Sequence, residues 1–163
     1  MPLNIPVLAV RQEWAHLIAT SYKIDEHRLY PAPIKYIGKD IAIYASLTAP
    51  KKEETQAIKD FFKVNYSKGR AERWDFEPTP RGYIVAVATL KNSRRVSREE
   101  FNSSYLTHAN PLSWYVPGKS HLWRLCNIRP LYRLDNLIKF KFSGSMVWSS
   151  IPAETLRAQG VGL

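Results

Sequence analysis

Eight consecutive residues, Tyr83-Ile84-Val85-Ala86-Val87-Ala88-Thr89-Leu90, constrain this chain more than any other stretch. Successive side chains of a β-strand point to opposite faces. Here Tyr83, Val85 and Val87 make one face apolar, and Ile84, Ala86 and Ala88 do the same for the other. A strand with no polar side must be covered on both, which places it in the middle of a layered domain. The 163 residues supply that cover, since a single domain of this size buries on the order of 70% of its unfolded surface.

Shorter signals flank this strand. Val7 and Leu8 predict a first strand over residues 3–10. Trp14, Leu17 and Ile18 recur at helical spacing. That pattern stops at Thr20, so residues 24–29 read as extended chain. Pro31 and Pro33 keep the next passage non-helical, and Gly38-Lys39-Asp40 predicts a turn before a strand over residues 41–45. Thr48 is placed to cap a helix over residues 51–66, with Pro50 tolerated in its first turn and Ile58, Phe61, Phe62 and Asn65 on one stripe. Residues 67–81 make a polar connector long enough to be a functional loop, with Trp74 and Phe76 available to hold it down.

Beyond the central strand, residues 92–96 read as a basic turn, and Ser97 with Glu100 three positions on spells a capping box. Asn110-Pro111 ends that helix. Residues 121–128 predict another strand, residues 133–142 hold one more, and Pro152 opens a short helix over residues 152–159. Strands interrupted by helices over short connections make an α+β domain. It is read as one domain over residues 1–163, with its core at about 6–151.

The charge balance narrows the function classes. Lys and Arg number 24 against 14 Asp and Glu, and the resulting net charge of +10 favours nucleic acid or another polyanion. A basic soluble protein with no such partner has the same composition. Cys126 is the only cysteine, which excludes an internal disulfide and a thiolate zinc cluster. The four histidines show no metal-ligand spacing, so neither metal nor cofactor is expected. No apolar run approaches the ~20 residues that span a bilayer. The first residues lack the basic start and apolar core of a secretory signal. The expectation is a soluble cytoplasmic protein with no membrane partner.

Chemistry concentrates at Ser21-Tyr22-Lys23-Ile24-Asp25-Glu26-His27-Arg28. In an extended segment Glu26 and Arg28, two apart, share a face, and Lys23 stands near its start. A cation, an anion and a second cation are gathered at one mouth of a strand. From spacing alone such a trio is commonly a solvated ion network worth little.

The same stretch resembles the GxKxxExR signature of the ASCH family: Lys23, Glu26 and Arg28 fall on its Lys, Glu and Arg, while Ser21 stands where Gly is usual. Arg11-Gln12-Glu13-Trp14-Ala15-His16-Leu17-Ile18 is similar to the family's Q-P-W-A-x-L-I helix, with Glu13 in place of Pro. Residues 82–88, Leu122-Trp123-Arg124-Leu125 and Asn127-Ile128-Arg129-Pro130-Leu131 resemble its later strands. The resemblance implies a PUA-like fold, a small bent β-barrel with helices packed outside and a cleft beside the motif strand. It also implies that Lys23, Glu26 and Arg28 converge in that cleft on RNA or a modified nucleotide, with Trp14 shaping the wall. Some small members are amidohydrolases that deacetylate N4-acetylcytidine with a catalytic Lys, but these carry Thr at the position of Glu26. Lys23 and Glu26 are the catalytic candidates if the chain is such an enzyme, or a ribonuclease. A module for protein interaction within a transcription or translation complex is the third class.

Further cations cluster outside the motif. Lys91, Arg94, Arg95 and Arg98 form one basic group, and Lys119, Arg124, Arg129 and Arg133 a second, interleaved with Trp114, Tyr115, His121 and Trp123. Cations neutralise phosphates and flat rings accept unstacked bases. Arg94, Arg95, Tyr115, Lys119 and His121 therefore join the candidate ligand-binding set. Tyr115 beside Pro117-Gly118 reads as an exposed contact, and Trp123, inside a strand, as core.

Overall fold

A computed structural model describes residues 3–65, 80–131, 137–143 and 147–163. Seven strands and five helices follow one another among them: β1 (Asn4–Val10), α1 (Gln12–Ala19), β2 (Asp25–Arg28), β3 (Asp40–Ala45), α2 (Lys52–Asn65), β4 (Tyr83–Arg95), α3 (Arg98–Ser103), α4 (Tyr105–His108), β5 (His121–Pro130), β6 (Ile138–Lys139), β7 (Trp148–Pro152) and α5 (Ala153–Ala158). The predicted connector with Trp74 and Phe76, and Arg133, lie outside the described residues. No helix among those described is long and apolar enough to cross a membrane.

The strands join in the order β2-β5-β4-β3-β1-β7, with β6 pairing β4. The β1–β3 ladder is parallel and the rest are antiparallel, so the sheet is mixed. β4 lies in its middle, and Ile84 through Ala88 are without exposure. Simple alternation misassigns one pair of faces. Ile43 pairs with Ala86 but Tyr44 pairs with Ile84, leaving Val85 as an extra residue on β4. Val85 and Ala86 consequently both enter the inner core with Ala88 and Leu90, while Ile84 and Val87 face the opposite cluster. A bulge of this kind bends its strand. Two further register shifts separate β4 from β5, and Asn127 on β5 takes φ +49°.

These bends curl the sheet round. Arg28 at the end of β2 donates from Nη2 to Ala9 O of β1 at 3.0 Å, although β5, β4 and β3 stand between those strands in the sheet. Trp123 of β5 and Trp148 of β7 stack across the interior, centroids 6.1 Å apart and planes 11° from parallel. No ladder between β2 and β7 closes the circle among the described residues, so the expected bent barrel is an open one. Trp14, Leu17 and Ile18 of α1, with Ile58, Phe61 and Phe62 of α2, fill its inner side. Ala153 and Leu156 of α5 pack with Ile151 of β7 against the outer-face residues of β1 and β3.

Local signals acted as their chemistry requires, with two exceptions. Ser97 Oγ accepts from Glu100 N at 3.1 Å and Glu100 Oε1 accepts from Ser97 N at 3.4 Å, which is the capping box. Residues 92–95 are not a turn: they continue β4, because Asn92 through Arg95 find partners on Arg124 through His121. Thr48 does not cap α2 either. The helix begins at Lys52, after Pro50 and Lys51, and Lys51 O accepts the first bonds from Glu54 N and Thr55 N.

Candidate functional site

Where α1 ends, Thr20 Oγ1 donates back to His16 O at 2.8 Å, and Ser21 takes φ +65°. That left-handed region is the one glycine enters freely, which gives the Gly-to-Ser exchange at this position a physical meaning. The tight exit lets Tyr22 N and Lys23 N both reach Leu17 O, so the chain doubles back beneath the helix before β2 begins.

Lys23 is thereby carried inside. It has no exposure, and Nζ donates to His108 O at 2.5 Å and Asn110 Oδ1 at 2.6 Å. Glu26 Oε1 lies 3.7 Å away and the Trp14 ring centroid 5.3 Å. Burial pulls the ammonium down to a pKa of about 8, against the opposing pull of Glu26 and Asp25. His108 is set to receive it: Nε2 donates to Phe101 O at 2.7 Å and Nδ1 accepts from Asn110 N at 2.9 Å. Burial lowers the pKa of that imidazole to about 4, so it is neutral at pH 7.

Glu26 and Arg28 emerge on one face of β2. Glu26 Oε2 stands 3.2 Å from Arg28 Nη2. Burial pushes the Glu26 carboxyl up, but Arg28 and Lys23 together hold it below the ordinary range, so it is an ionised, acceptor-only group. Beside them lies a cavity of about 310 Å³ whose wall includes Glu26, Arg28, Arg11, Trp14, Asn110 and Trp114, with Ser46, Thr48 and His27 also on it. That volume is at the small end of ligand sites, the scale of a single nucleoside. Trp14 and Trp114 meet edge to face at 5.8 Å to form its aromatic side. Arg11 is held by Glu54 Oε1 at 2.6 Å, which anchors it to the first turn of α2.

Lys23 is absent from this wall. The expected projection of all three motif side chains into the hollow is corrected on that point: desolvation is tolerated because Nζ finds protein acceptors behind the wall. Its contacts, Trp14, Glu26 and Asn110, are themselves wall residues. Lys23 Nζ thereby holds three wall residues in position.

The outer candidates scatter. Arg94 turns away to Asp25 Oδ2 at 3.6 Å, where Arg124 also binds Asp25 through Nε at 2.7 Å and Nη2 at 3.0 Å. Tyr115 is half-buried against Phe101, under the Arg98 guanidinium at 4.8 Å, and donates to Val96 O; it is not the open contact expected and lines no part of the cavity. Arg95 and His121 stand in register with Arg28, Arg28 opposite His121 and His121 opposite Arg95. Lys119 is exposed, and its carbonyl accepts from His121 Nδ1. Trp123 is core, without exposure.

Sequence reasoning missed Asn110, Arg11, Ser46 and Thr48 as wall residues. Asn110 was legible only as the residue before a helix-breaking proline; its partner Lys23 is 87 positions away. No local pattern signals such a bond.

No family model and no curated protein sequence matches this chain. Solved structures do. ASCH from Zymomonas mobilis matches over 93% of this chain and 90% of its own, with 16% identity and a TM-score of 0.53. Two single-residue variants of that protein match over 94% of this chain, at TM-scores of 0.54 and 0.50 and identities of 14% and 16%. The chain has the PUA-like α+β fold of the ASCH proteins.

Proposed function

We propose that the chain binds single-stranded RNA, or a modified nucleotide within it, in the Glu26–Arg28 cavity. One observation carries the reading: an ionised carboxylate and a guanidinium are fixed side by side on the wall of a nucleoside-sized hollow that two indoles also line. Glu26 accepts from base amines or ribose hydroxyls, and Arg28 meets a phosphate or a base acceptor. The net charge of +10 supplies the long-range attraction. A hydrolase built on a lysine base gains no support here, because Nζ of Lys23 donates into the protein and has no exposure.

The test is fluorescence anisotropy with a labelled single-stranded RNA of about ten nucleotides at 50 to 200 mM salt. Affinity falls as salt rises, with a log–log slope of about −0.7 per phosphate neutralised. Arg28→Ala and Glu26→Ala weaken it at every salt concentration. Binding that is indifferent to both substitutions overturns the proposal.

A further inference from the structure

A second hollow of about 540 Å³ opens on the other side of Arg28, and the two share His27, Arg28 and Trp114 in their walls. Their chemistry differs. The first presents carboxylate, amide and hydroxyl groups; the second is faced by Leu29, Tyr30, Trp114 and Val116. Leu29 is 47% exposed and Tyr30 41%, a large apolar surface to leave in water beside a charged cavity. It is also a built surface. Ser120 has no exposure, and its Oγ accepts from Val116 N at 2.8 Å and lies 2.9 Å from His27 Nε2, which ties the Val116 loop to β2. The Tyr30 ring rests edge-on against Trp123 at 5.7 Å.

Arg28 stands on the partition between the two hollows. Beyond it the row Arg28–His121–Arg95 runs across β2, β5 and β4 on one face. Polar hollow, guanidinium and aromatic shelf repeat the order base, phosphate, base along a nucleic-acid strand.

We infer that the site takes at least two adjacent nucleotides: one base enters the Glu26 cavity, the linking phosphate meets Arg28, and the neighbouring base lies on the Leu29–Tyr30–Trp114 shelf. This rests on the reading that the Glu26 cavity binds a nucleotide, and it adds that a free mononucleotide is an incomplete ligand. A flat ring on an aromatic shelf gains affinity whatever its sequence, about 5- to 150-fold per base.

The experiment titrates three probes by tryptophan fluorescence: a nucleoside monophosphate, the dinucleotide NpN, and the same dinucleotide with its second base omitted. The expected result is that NpN binds at least about fivefold tighter than the abasic probe. Leu29→Asp, at an exposed position, brings that ratio towards one while circular dichroism shows an unchanged fold. Equal affinities for NpN and the abasic probe overturn the second subsite while leaving the first intact. Failure of all three probes overturns the nucleotide reading and this inference with it. A dimer in sedimentation that Leu29→Asp dissociates, with no dependence on the second base, assigns the shelf to a second copy of the chain and overturns the inference.

Discussion

Lys23 offers the sharpest test of the site's construction, because its burial has a sign and a size. The ammonium is displaced from an ordinary pKa of 10.5 to about 8, with desolvation the largest cause. A displacement of that size is worth about 3 kcal/mol. The sign follows from linkage. A lysine whose folded pKa is lowered releases its proton earlier when folded, so between about pH 8 and 10.5 the unfolded chain binds more protons. Stability therefore rises with pH across that window. The neutral amine still donates to His108 O and Asn110 Oδ1, so deprotonation leaves both acceptors satisfied.

Lys23→Met fills the same volume without titrating. At pH 7 it leaves those two acceptors bare, at about 1–3 kcal/mol for an unsatisfied buried group. The gap to the wild type should then widen by about 3 kcal/mol more by pH 10.5, since only the wild type gains. Urea unfolding at pH 7, 8.5 and 10.5, followed by tryptophan fluorescence under reducing conditions, reads the difference directly. Ionising tyrosines affect both proteins and cancel. A difference that stays level with pH would show that the ammonium is not desolvated behind the wall, and the positioning role would fall with it.

Glu26→Gln removes a charge that raises the folded Lys23 pKa, so in that variant the same stability window should begin at lower pH while its upper end stays in place. Glu13 is buried, and its pKa is raised by burial and by Glu54 despite the bond from Thr55 Oγ1 at 2.6 Å. Its ionisation opposes folding above the ordinary carboxyl range, so Glu13→Gln should raise Tm at pH 7, the gain shrinking as pH falls to 4. Asp25 is without exposure; burial raises its pKa, but Arg124 and Thr107 bring the net below the ordinary value. Its contribution is present above that value and lost as pH falls through the folded pKa, and Asp25→Asn should cost about 3 kcal/mol or more in urea unfolding at pH 7. Ser21→Val, forced into φ +65°, should lower Tm by about 2–8 °C, whereas Ser21→Gly should match or exceed the wild type.

The sequence by itself determined what depends on neighbours within a few positions. The central strand announced itself through eight residues with no polar face, the Ser97–Glu100 box through its spacing, and the apolar stripe of α1 through its period. Pairing of Glu26 with Arg28 was readable too, since a period of two puts them on one face. Tertiary structure decided the rest, because register across strands is a matter of partners far apart in sequence. A single extra residue at Val85 turned it to the same side as Ala86 and helped curl the sheet until Arg28 reached Ala9. Lys23, expected in the hollow, went behind its wall because acceptors 85 and 87 positions away were waiting there. A buried ammonium is tolerable only when such acceptors are in place, and only the folded chain brings them together.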